Sequence, residues 1–215
     1  MQAIFENLPL WWQGMGMTLL LTGVVTLIGL PIGILLAGMR VSPVAALRVV
    51  AAVWTEVARN TPLTLVFFLL VFVVPRLGVV VDFQISAVVA LTLYTAPFYA
   101  EAIRSGVNSV PVGQAEAARS VGLTFSQTAR FVIIPQALRS VVPPLINVTI
   151  ALTKNTSVAG VFFVIELFGA SSRAARDHGD AVILVLLYAA ALYLAITVPL
   201  GLIAGVIEKK VAVLR

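Results

Sequence analysis

Two clusters of polar residues stand inside otherwise apolar stretches of this chain. The first is Arg59, Asn60 and Thr61, followed by Pro62; the second is Lys154, Asn155 and Thr156, with Asn147 two helical turns earlier. Guanidinium, ammonium, amide and hydroxyl groups can hold a polar solute through hydrogen bonds, but neither cluster pairs a nucleophile with a base. A lysine inside a membrane-length apolar stretch costs about 2.5–3.5 kcal/mol on insertion scales, so Lys154 must face a partner or a watery cavity. Glu166 and backbone carbonyls are the candidate partners. Arg59 has the further option of snorkelling to the membrane interface. The single histidine, His178, stands between Asp177 and Asp180, and the chain has no cysteine. With no second His or Cys to complete a ligand set, a solvated surface position is expected and no metal site. No Gly-x4-Gly-Lys-Ser/Thr phosphate loop occurs, so nucleotide is not bound in that manner. No catalytic residue and no enzymatic activity are expected.

The elements that must position these clusters follow from composition. Hydrophobic residues make up 60% of the 215 and charged residues 11%, against about a quarter charged in soluble proteins. This is the composition of an integral membrane protein, all-α, in one domain over 1–215. Five spans are expected at about 17–39, 46–74, 85–103, 142–168 and 181–207, each long enough for roughly 30 Å of hydrocarbon. Pro62 lacks an N–H and disfavours helix at Thr61, which predicts a kink in the second span. The pairs Gly29/Gly33 and Gly201/Gly205 offer close helix approach. Trp11 and Trp12 read as an aromatic anchor or as packing residues. Glu101 and Arg104 are spaced to pair on one helix face, and 169–180 reads as a polar loop. No Lys or Arg precedes Arg40, so the first segment lacks the basic start of a signal peptide and is expected to be retained.

The net charge of +5 follows topology rather than a nucleic-acid partner. With the N-terminus outside and the C-terminus inside, Arg40, Arg48, Arg104, Arg119, Arg130, Arg139, Lys209, Lys210 and Arg215 fall inside. Only Arg76, Arg173 and Arg176 then fall outside, as the positive-inside rule requires. The same orientation places Gln114 to Pro135 inside. This stretch is neither apolar enough for lipid nor rich enough in loop residues for disorder. Glu116, Ala117, Ala118, Arg119 and Val121 favour helix, Gly122 can end it in the left-handed conformation, Ser126 is a plausible N-cap for a second helix, and Pro135 is expected to interrupt that second helix. An amphipathic connector lying on the membrane interface has the same features.

The run Glu116, Ala117, Ala118, three residues, Gly122, nine residues, Val132, one residue, Ile134, Pro135 resembles the cytoplasmic EAA loop of ABC importer permeases. Arg59-Asn60-Thr61-Pro62 resembles the second transmembrane helix of polar amino acid permeases, where Gly is common in place of Asn60. Lys154-Asn155-Thr156-Ser157 resembles their Lys-Asp-Thr-Ser run, with Asn155 replacing Asp. The resemblance implies the type I ABC importer permease fold, five transmembrane helices with a cytoplasmic coupling helix at about 112–126, in a bacterial cytoplasmic membrane. It implies ATPase coupling through Gln114, Glu116, Ala117, Ala118, Gly122 and Pro135, and a substrate pathway near Arg59, Asn60, Thr61, Asn147, Lys154, Asn155 and Thr156. The implied partners are an ABC ATPase dimer holding ATP and Mg²⁺, a second permease chain, identical or homologous, and a substrate-binding protein. Some related permeases for cationic amino acids place an acid just after the Asn corresponding to Asn147, where this chain has Val148. Glutamate or another acidic or neutral polar amino acid is therefore expected, with a cationic amino acid or another small polar solute as the alternative. A channel or secondary transporter would leave the EAA-type segment unexplained.

Overall fold

The computed structural model describes residues 2–212, and every element among them is helical. Met1 and Arg215, the latter among the basic residues expected inside, lie outside the described residues. After a short helix α1 (Gln2–Phe5), α2 (Leu8–Arg40) is the first crossing helix. It starts well before Met17, because Pro9 at its first turn needs no N–H partner and its fixed φ suits a helix start. The two tryptophans divide. Trp11 is buried edge-on against Tyr188 at 5.0 Å, while Trp12 is 71% exposed, so packing and outward exposure each hold for one of them.

The expected second span does not run straight. Helix α3 (Ala45–Asn60) and the arm Leu63–Leu77, made of α4 (Leu63–Phe68) and wider and tighter turns after it, meet at 98°. Pro62 is the cause: Thr61 and Pro62 are both extended, at ψ 131° and 132°. Among the described residues, four helices are long and apolar enough to cross a membrane, and the bent pair makes a fifth candidate. Leu63, Phe67 and Val71 of its second arm pack in the core with Leu21, Val25, Leu91 and Leu152.

Helix α5 (Phe83–Asn108) is N-capped by Asp82, whose carboxylate accepts from the Gln84 N–H at 2.7 Å. It packs tightly on α2, where a Cβ at Gly33 would lie 2.6 Å from that of Tyr99. The Gly29/Gly33 expectation is thus met. The Gly201/Gly205 expectation is not: Ile150 at 4.0 Å is the nearest group to a Cβ on Gly201, and Gly205 faces open space. The Tyr99 hydroxyl sits 3.1 Å from Thr26 Oγ1 and 2.9 Å from Thr149 Oγ1, tying α2, α5 and the fourth crossing helix together.

That fourth helix begins far earlier than 142 and ends before 168. It runs from Phe125 to Val161 through α7 (Phe125–Thr128), a π-turn at Ala129–Ile133 and α8 (Ile134–Val161). Pro135 does not interrupt it. A proline beside a π-turn is accommodated, because the wider turn already breaks the regular ladder that the missing N–H would have joined. The helix stops where Phe163 enters the left-handed region at φ 70°.

The stretch from 169 to 180 is not a loop for most of its length, as α9 (Leu167–Asp177) occupies it. Its N-cap is Glu166, fully buried, whose Oε1 accepts from the Gly169 N–H at 2.8 Å. Tyr193 of the last helix α10 (Val182–Ala212) donates its hydroxyl proton to Oε2, and Thr18 Oγ1 lies 3.5 Å away. Thr18 in turn accepts from the Leu167 N–H at 3.2 Å. One carboxylate therefore clasps α2, α9 and α10. His178 lies at the end of α9 with Nε2 3.4 Å from Glu6, half of which is exposed.

Candidate functional site: the hairpin and the polar span residues

The hairpin between α5 and α8 is built almost wholly by local rules. Helix α6 (Val112–Ser120) ends in a Schellman motif: the Leu123 N–H donates to Ala118 O at 3.2 Å and the Gly122 N–H to Arg119 O at 3.0 Å. Gly122 is at φ 91°, where a side chain would be strained. Val121 and Gly122 turn the chain, and α7 opens with a capping box. Thr124 Oγ1 accepts from the Gln127 N–H at 3.3 Å, and the Gln127 side chain accepts from the Thr124 N–H at 2.9 Å. Thr124, not Ser126, is thus the N-cap; Ser126 sits inside the first turn, and the Thr-x-x-Gln spacing was the missed signal.

Gln114, Glu116 and Ala117 lie on the open side of α6, whereas Ala118 is buried beneath it. Gly122 and Pro135 lie at the surface or close to it, Pro135 on the long helix rather than at the hairpin tip. Two residues not singled out by motif complete the surface: Val121 is 78% and Phe125 80% exposed. A helix end presenting a carboxylate, small residues and two bare apolar side chains has the composition of a docking surface.

The polar span residues do not form one cluster. Asn60 donates its amide to Glu56 O at 2.8 Å and Thr61 its hydroxyl to Val57 O at 2.7 Å, so both are turned back on α3. Arg59 reaches α5, with its guanidinium 5.8 Å from the Phe98 ring centre. Across Phe98 lies a cavity of about 150 Å³ lined by Tyr94, Thr95, Phe98, Val148, Ala151 and Asn155. Asn155 faces it; Asn147 and Lys154 are exposed on α8, and Thr156 is buried with its hydroxyl donated to Thr153 O at 2.8 Å. No ion pair joins Lys154 to Glu166 among the described residues, and Glu166 is taken by the clasp instead. Arg59, Phe98 and Asn155 are therefore brought together, while Lys154 is not.

Thr95 was missed. Its hydroxyl is buried at this cavity with no partner, and its signal was a hydroxyl residue one turn after Thr92 in an apolar span. Nearby, Glu101 and Arg104 form the expected ion pair.

Against this geometry, comparison with known proteins is decisive. The family described as "Binding-protein-dependent transport system inner membrane component" matches residues 29–213. The chain belongs to this family. It is a multi-pass transport subunit rather than an enzyme, and membership removes the channel and secondary-transporter alternatives. The glutamate transport system permease protein GluC of Corynebacterium efficiens is 38% identical, over 96% of this chain and 94% of that protein. The probable glutamine ABC transporter permease protein GlnM of Bacillus subtilis is 36% identical, over 96% and 95%. A crystal structure of an amino acid ABC transporter with histidines superposes with a TM-score of 0.90 at 29% identity, covering 96% of both chains. The fold is thus that of an ABC transporter permease, as the EAA-type segment implies.

Proposed function

We propose that this chain is the permease subunit of a bacterial ATP-driven importer of glutamate or another acidic or neutral polar amino acid. In this reading two permease chains enclose the pathway, a substrate-binding protein delivers cargo from outside, and ATP and Mg²⁺ are held by a separate ATPase dimer. The N-terminus is outside and the C-terminus in the cytoplasm.

The observation that carries the coupling role is the hairpin. Its backbone is closed on itself by the Schellman motif and the capping box, yet Glu116, Val121 and Phe125 have no partner surface among the described residues. A preformed helix end costs little ordering entropy on docking, so an ATPase groove can seat it as a unit. Gln114, Glu116, Ala117, Ala118 and Gly122 are the contact and shape residues; Pro135 lies behind them. Glu116→Lys or Gly122→Asp is expected to abolish uptake in proteoliposomes while the protein still inserts and is recovered from the membrane. Normal ATP-dependent uptake by either variant would refute the assignment.

For the substrate, the cavity beside Asn155 offers an amide and the free Thr95 hydroxyl, and no carboxylate lines it among the described residues. A desolvated cationic side chain needs an opposite charge, so an acidic or neutral cargo fits better. Asn147, Lys154 and Thr156 remain pathway candidates, with Lys154 turned outward toward what a second chain would supply. The 29%-identical neighbour is an amino acid transporter with histidines, which supports the cationic alternative. An uptake competition assay separates them: glutamate is expected to compete, and competition by arginine or histidine alone would reverse the assignment.

A further inference from the structure

Helix α3 has two faces, and the bundle uses neither fully. Only Ala51 and Thr55 are buried, Ala51 against Leu36, Ala37 and Ala100 near the inner ends of α2 and α5. Because α3 meets the next arm at 98°, both cannot run along the membrane normal; the arm packed in the core with α2 and α5 takes that direction, and α3 lies across it at the inner end. Val50, Val53 and Val57 recur at helical spacing on an exposed apolar side, and with Trp54, Val66 and Tyr94 they line an open groove of about 690 Å³ in the corner of the bend. Arg48 and Arg59 lie on the opposite side of the helix.

The direction of each face follows from α5, which descends toward the inner side. The groove reaches Tyr94, whereas Arg59 stands over Phe98, one turn nearer the inner end. The apolar side therefore looks toward the bilayer interior and the arginines toward its inner surface. There Arg104 is ion-paired with Glu101, and the positive fields of Arg59 and Arg40 also reach that carboxylate. Arg104 holds it, and Arg40 has a guanidinium nitrogen shielded from water with no acceptor. Three cations against one anion, one of them missing a partner, match a phosphate.

We infer that α3 is an interfacial amphipathic helix seated on anionic phospholipid of the inner leaflet, with acyl chain in the corner beneath Trp54 and headgroup phosphate among Arg40, Arg59 and Arg104. Charge complementarity selects lipid as the occupant, since the groove is apolar, opens beside the membrane-crossing arm and is bordered by cations only on its headgroup side. The placement rests on the inside-positive orientation of the proposed permease.

The test uses the transporter assembled with its ATPase in lipid nanodiscs. The chain has three tryptophans, so Trp11→Phe with Trp12→Phe leaves Trp54 as its only one, and brominated lipids report contact with it by quenching. Brominated phosphatidylglycerol is expected to quench Trp54 at about fivefold lower mole fraction than brominated phosphatidylcholine. Arg40→Gln with Arg59→Gln should merge the two curves and leave quenching by phosphatidylcholine intact. If the tryptophan-depleted background fails to assemble, the difference between the native chain and Trp54→Phe carries the same signal. Absence of quenching by both lipids would mean that protein, such as a second copy, fills the corner, and would overturn the inference. Equal quenching by both lipids, or a preference abolished by inorganic phosphate in the buffer, would overturn it as well. ATP-dependent uptake measured in parallel keeps the permease assignment separate: its loss with an intact quenching preference fails that assignment and not this one.

Discussion

The α6–α7 hairpin and the Glu166 clasp are opposite ways of making a fixed shape. In the hairpin every shaping contact lies within five residues of its partner: Leu123 to Ala118, Gly122 to Arg119, Thr124 with Gln127. In the clasp Glu166 meets Thr18 and Tyr193, distant in sequence, and Gly160 packs so close that a Cβ there would lie 2.2 Å from Glu166 Oε1. The hairpin owes its form to the order of its own residues, and the clasp owes its form to the fold around it. Damage should therefore be local in one and global in the other.

The largest effect is expected in the packed interior. At Gly106 a Cβ would sit 2.2 Å from Val141, and Gly106→Leu should destabilise the α5–α8 contact by about 3 kcal/mol, read as a lowered midpoint of detergent-induced unfolding. Glu166→Ala leaves the Gly169 N–H and the Tyr193 hydroxyl buried without their acceptor and should cost about 3 kcal/mol by the same assay. Glu166→Gln keeps one acceptor and should cost about 1 kcal/mol. If the alanine and glutamine variants unfold together, the clasp contributes little and the contrast fails.

The hairpin substitutions rank below these and should leave the unfolding midpoint in place. Gly122→Val forces a β-branched residue to φ 91° and should cost about 1–2 kcal/mol locally, seen as faster amide exchange in 118–124 and weaker ATPase binding. Thr124→Ala removes the cap and should cost about 1 kcal/mol, with faster exchange confined to α7. Ser126→Ala should change stability by less than about 0.5 kcal/mol. An equal effect of the last two would contradict the observed capping box.

The same contrast explains what sequence could reveal. Apolar length announced the crossing helices, Pro62 the break, Gly122 the left-handed stop, and the Glu101/Arg104 spacing the ion pair, because each is settled by neighbours along the chain. The family resemblance added the architecture. The ends of the fourth span escape a sequence reading because a π-turn absorbs Pro135, and the polar run after 168 reads as a loop because its cap, Glu166, is useful only beside Thr18 and Tyr193. Of the pathway candidates, Arg59 and Asn155 converge on Phe98, but Lys154 faces outward, since side-chain direction on α8 depends on which face meets α5. The Thr92/Thr95 spacing marks a hydroxyl-bearing stretch of α5, but only the packing of α5 on α8 puts Thr95 at the cavity.

One continuous rod of 37 residues joins the hairpin to the far side of the bundle, from Phe125 to Val161. At 1.5 Å per residue it is about 55 Å long. Pivoting it by about 5° would swing its distal end through roughly 5 Å, close to the rise of one helical turn. In the proposed coupling role, a small torque at the hairpin end would thereby become a stroke wide enough to open or seal a passage for a molecule of amino-acid size.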